Sequence, residues 1–90
     1  MDSVITTNQV AARAWLPGRT GLCAIDGVQD GATIELVVKV GESWVARGNA
    51  LAAGDEVEFS TGYENVGVRV INAGASTSII VRIREKRGLA

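Results

Sequence analysis

Histidine is absent from this 90-residue chain, and cysteine, proline and methionine occur once each. Without histidine, the commonest general base and the commonest neutral metal ligand are both missing. The single thiol cannot close an intrachain disulfide, and the lack of paired cysteines suggests assembly in a reducing compartment. Aromatic residues make up only 4% of the chain, so a core must be built from Val, Ile, Leu and Ala. No stretch approaches the roughly 20 apolar residues that cross a bilayer as a helix. The opening MDSVITTNQV, with Asp2 early and a short apolar stretch, carries no secretory signal.

What is present is alternation. Thr33–Val40 places Ile34, Leu36, Val38 and Val40 on one face. Glu56–Phe59 sets Val57 and Phe59 against Glu56 and Glu58. Val66, Val68 and Val70 repeat the pattern, as do Ile79, Val81 and Ile83, and Gly21–Ile25 is a shorter fifth segment. A period of two marks half-buried strands. An apolar fraction of 47% in 90 residues fits one small globular domain with a thin core, for which self-association is one route to further burial.

Along the chain, residues 1–10 read as an N-terminal arm or short edge strand, and residues 11–90 as one domain. A strand ending at Leu16 is closed by Pro17-Gly18, and Gly21–Ile25 is closed by Asp26-Gly27. Asp30-Gly31 is a turn before Thr33–Val40, and Gly41-Glu42 reverses the chain into Ser43–Arg47, giving a hairpin with Trp44 near the start of its second strand. Asp55–Ser60, Val66–Asn72 and Thr77–Glu85 complete about seven strands. There is no room for parallel crossovers. The fold class expected is all-β, a small antiparallel β-sandwich or barrel-like variant.

The chemistries can be tested in turn. Cys23, in Gly-Leu-Cys-Ala-Ile, is expected to be a buried small hydrophobe. The spacing of Asp26 and Asp30 looks like a loop rather than a calcium cradle. Glu56 and Glu58 share a strand face at a separation suited to an acid/base pair, but that face is opposite Val57 and Phe59 and so points to solvent. Gly41-Glu-Ser-Trp lacks the second glycine of a nucleophile elbow. No catalytic residue, metal site or cofactor is expected. Arg82, Arg84, Lys86 and Arg87 form a modest basic patch, but Phe59 and Tyr63 lie in an acidic stretch, so nucleic acid is not an expected partner.

Charge is divided. Residues 1–64 carry a net −5 and residues 65–90 a net +4, which suits head-to-tail complementarity between copies. The competing expectation is that Arg82 and Arg84 pair across strands with Glu56 and Glu58. Trp44 is expected in the core, whereas Trp15 is open between core and interface. Trp15, Leu16, Arg82 and Arg84 are the candidate interface residues.

In succession the chain offers TIELVVKV, a short turn, Trp44, a loop with Leu51 and Gly54, a strand VEF, Gly62, then VGVRVINAG and SIIVRI. This order over residues 31–84 is similar to the small β-sandwich virion proteins of tailed bacteriophages, which decorate capsids or build parts of the neck and tail. The resemblance implies a non-enzymatic virion component, assembled in the host cytoplasm, that oligomerises and binds a repetitive protein lattice. It implies a homotrimer, with the major capsid protein or another virion protein as partner, and no membrane. In that picture Met1–Val10 reaches the shell, and deleting residues 1–10 should weaken assembly while leaving the β fold. The alternative is a ligand-binding β module, for example for carbohydrate, displaying Trp15 or Trp44.

Overall fold

Strands that alternate apolar and polar side chains have one face to bury, and two sheets laid face to face bury both at once. The computed structural model describes residues 2–15, 20–60 and 65–85. Eight strands occur among them: β1 (Asp2–Ile5), β2 (Gln9–Trp15), β3 (Thr20–Val28), β4 (Thr33–Val40), β5 (Ser43–Ala46), β6 (Glu56–Ser60), β7 (Asn65–Ile71) and β8 (Ser78–Glu85). They form two antiparallel four-stranded sheets, sheet A in the order β1-β8-β3-β6 and sheet B in the order β2-β7-β4-β5. The sheets pack against each other as a sandwich and do not close into a barrel.

The interior follows the alternation. Ile34, Leu36 and Val38 of β4 and Val66, Val68 and Val70 of β7 face Cys23 and Ile25 of β3 and Ile79, Val81 and Ile83 of β8. Each such aliphatic side chain, fully buried, contributes about 1.5–3 kcal/mol. Val40 departs from the expectation: it is 55% exposed, because β4 pairs with β7 only as far as Val38 and its last two residues overhang the sandwich.

The eighth strand comes from the N-terminus. β1 is an edge strand on β8, with Ile5 opposite Ile79 and wholly buried. Gln9 and Val10 already belong to β2, so a division at residue 10 falls inside a strand. β2 is the opposite edge case, with a register shift between Ala11 and Ala14, the kind of bulge that blunts an exposed edge.

β3 also runs further than its sequence suggests. Asp26-Gly27 reads as a turn, yet Gly27 continues the strand opposite Ile79 with φ +96°. Asp26 Oδ1 accepts the Gly27 amide at 2.8 Å. The reversal comes at Asp30-Gly31, where Ala32 N donates to Gln29 O at 3.0 Å. A second glycine with a required conformation leads into β6. Gly54 (φ +96°) donates to Ile25 O at 2.7 Å, and Ile25 N donates to Asp55 O at 2.9 Å. Two residues thus face one, a glycine bulge, after a turn closed by Asp55 N donating to Ala52 O.

One end of the sandwich is tied by side chains. Asp30 Oδ2 accepts Ser76 N at 2.8 Å. The buried Thr77 hydroxyl donates to Gln29 O at 3.1 Å and accepts Gly74 N at 2.8 Å. Gln29 spans further, donating through Nε2 to Ala32 O and accepting Ala53 N at Oε1. A buried hydroxyl such as that of Thr77 is costly unless bonded, and the bonds together join the β3–β4, β5–β6 and β7–β8 connections.

Candidate interaction surfaces

Three of the groups considered for chemistry, Cys23, Asp26 and Asp30, are engaged in the fold. Cys23 is wholly buried, and desolvation pushes its thiol from 9.0 up to about 11. The folded state therefore holds a proton that the unfolded chain releases near pH 9.0. The associated stability is intact below that pH and declines between 9.0 and about 11. Iodoacetamide at pH 8.5 should leave native Cys23 unmodified and label it fully in denaturant. Native labelling at the rate of a free thiol would instead mean that β3 opens readily. Asp26 accepts the Gly27 amide within β3 and Asp30 accepts the Ser76 amide from the β7–β8 connection, and no group of three or more metal-ligating side chains occurs among the described residues.

Three surfaces remain. The first is the outer face of sheet A. Val4 lies opposite Ile80, which lies opposite Asp26. Val4, Val28 and Ile80 are 62%, 53% and 43% exposed, an apolar patch at the β1 side of the sheet. Arg82 and Arg84 follow along β8, opposite Ala24 and Leu22. Small Ala24 leaves a hollow of about 180 Å³ between Asp26, Ile80 and Arg82. Glu56 and Glu58 lie on the far side of the same two residues, Ala24 and Leu22. The arginines and these acids do not lie on neighbouring strands, because β3 stands between β8 and β6. Two inter-strand spacings, about 9–10 Å, separate the two backbones.

The second surface is a cleft of about 620 Å³ beside β6. β5 pairs only with the second half of β4. Beyond it, Arg47 N donates to Leu36 O and Leu51 N to Ile34 O, both at 2.7 Å, so residues 47–51 run along the edge of β4. This irregular segment leaves a gap between the sheets. Leu36, Leu51, Val57 and Phe59 form its apolar wall, with Asp55 and Glu58 on the β6 rim and Arg47 across from them.

The third is the outer face of sheet B. Arg69 Nε pairs with Glu35 Oε1 at 2.9 Å, and Nη1 reaches across β4 to Trp44 O at 3.2 Å. Val37, between Gly67 and Ala46 in the register, is fully buried on this outer side. Trp44 is half-buried here rather than in the core, with the Lys39 ammonium 5.8 Å from its ring centroid. Its register partner Lys39 is exposed, so the same pleat turns the ring outward. The expectation of a core Trp44 is overturned by that parity.

Of the four candidate interface residues, Arg82 and Arg84 share the outer face of sheet A. Trp15 ends β2 in sheet B, opposite Asn65, and Leu16 lies outside the described residues. The arginines and Trp15 therefore belong to different sheets. The patch residues Val4, Val28 and Ile80 were not singled out in the sequence. One signal was available: consecutive Ile79 and Ile80 in a strand cannot both face the core.

No family model matches the chain, and no curated protein and no solved structure is significantly similar to it.

Proposed function

We propose that this chain is a non-enzymatic structural protein of a phage virion, a capsid-decorating component that assembles with copies of itself and docks on a protein lattice. The observation that carries this reading is the outer face of sheet A. Its exposed Val4, Val28 and Ile80 adjoin charges of both signs, Asp26 on one side and Arg82 and Arg84 on the other. An apolar centre with a mixed-charge rim is how protein contacts are built. The resemblance of residues 31–84 to phage sandwich proteins supplies the virion context and the expectation of a trimer. Trp44, half-buried beside Lys39, favours a carbohydrate-binding module as the second reading.

Light scattering at low and high salt tests the association. The expected result is a homotrimer, and Ile80→Lys should weaken self-association by at least about tenfold with an unchanged circular dichroism spectrum. Persistence at high salt would point to the apolar patch, and dissociation to the charged rim. A wild-type monomer at every salt and concentration would sink the self-assembly half of the proposal. The virion half is tested separately, by mass spectrometry of purified phage particles; absence of the chain from them would reject it.

A further inference from the structure

We propose that the cleft beside β6 receives an extended segment of a partner protein, added to sheet A as a further strand in which apolar side chains alternate with basic ones. We infer this from the cleft itself, independently of the virion reading. β6 is a terminal strand, bonded to β3. The bonds that Ile25 exchanges with Gly54 and Asp55 set the phase of that ladder. Hydrogen-bonded pairs alternate along antiparallel strands. Cys23–Val57 and Gly21–Phe59 are then the bonded pairs in the β3–β6 register, and the backbone groups of Glu56, Glu58 and Ser60 point away from β3, toward the edge.

A strand laid along that edge sends every second side chain inward. There it meets the apolar wall of Leu36, Leu51, Val57 and Phe59. At about 620 Å³ the cleft lies within the range of specific binding sites. The remaining side chains of the added strand lie on the outer face, beside Glu56 and Glu58.

Charge selects the occupant. Asp55, Glu56 and Glu58 put three acids within four residues of β6 and its lead-in. Two copies joined antiparallel through β6 would bring these acids together, and like charges directly opposed across a ladder are destabilising. Of the other edge strands a second copy could offer, β1 and β5 carry no base and β2 carries the single Arg13, so none has bases at alternate positions. A foreign strand with Lys or Arg at alternate positions gains opposite-charge pairs where a second copy meets repulsion.

The test uses short end-capped peptides alternating valine with lysine or with glutamate, labelled for fluorescence anisotropy, on the intact chain. The lysine peptide should bind at least about tenfold more tightly than the glutamate peptide. Glu56→Lys with Glu58→Lys should invert that order. A lysine peptide N-methylated at alternate residues keeps its side chains but loses its strand hydrogen bonds. It should fail to bind the wild-type chain, a result that depends on no variant folding. Hydrogen exchange should slow at Glu56, Glu58 and Ser60 when the lysine peptide is present. Four results would each overturn the proposal: no binding of the lysine peptide, equal binding of both peptides, binding without slowed exchange in β6, or protection of β6 by a second copy of the chain.

Discussion

Gly27→Ala is expected to cost at least about 3 kcal/mol, enough to leave little folded protein. Two effects add. Gly27 holds φ +96°, a region where an L side chain costs about 1–2 kcal/mol. A Cβ there would also run into the Ser78 carbonyl oxygen, with Ile80 N close behind. Those are backbone atoms of β8, which is held between β1 and β3 and cannot step aside. Gly48 is the internal control: its φ is +79°, but nothing lies within 4 Å of the added carbon. Gly48→Ala should therefore cost only about 1 kcal/mol, the backbone term alone. Urea denaturation of the two variants measures the difference. Equal midpoints would mean that β3 and β8 are not in close register at Gly27.

Deleting residues 1–10 should be nearly as damaging to the fold itself, whereas the sequence alone leads one to expect weakened assembly with the β fold left standing. The deletion removes β1 and the first two residues of β2. It also removes Ile5, one of the largest fully buried side chains. Truncating Ile5 to alanine alone should cost about 2–5 kcal/mol, against a total stability of about 5–15 kcal/mol for a domain of this kind. Without β1, the edge of β8 is laid open, and its sequence IIVRI invites pairing between chains. The expected outcome is an aggregated or unfolded product by circular dichroism and light scattering. A soluble truncated chain with an unchanged melting temperature would show that β1 adds nothing to the fold.

The strands themselves were legible because alternation in Thr33–Val40, Val66–Ile71 and Ser78–Arg84 encodes a buried face directly. What alternation does not encode is which strand lies beside which. Both neighbours of β3, β6 and β8, carry charge on the same outer face, so an Arg–Glu pairing across adjacent strands looked natural although β3 intervenes. Trp44 was misplaced because a large ring implies burial, whereas parity with Lys39 turns it outward. Gly27 was misread because Asp-Gly is turn chemistry, and only tertiary pairing with Ile79 keeps it in a strand. The cleft was invisible for a different reason. It arises where β5 stops short and residues 47–51 run along the edge of β4, and no local residue pattern reports a gap between sheets.

The order of strands also sets a timetable. β8 sits between β1 and β3, and β7 between β2 and β4, so the two strands that come last in this fold occupy the middle of each sheet. On the ribosome, the β4–β5 hairpin and then the β3–β6 pair can form early; β1 and β2 emerge without any strand to join, because their partners are β8 and β7. Such non-local pairing is slow, on the order of milliseconds to seconds, and until it completes the apolar faces remain available to chaperones or to other nascent copies. Maturation is thus gated by β7 and β8. The outer face of either sheet is complete only once they have joined.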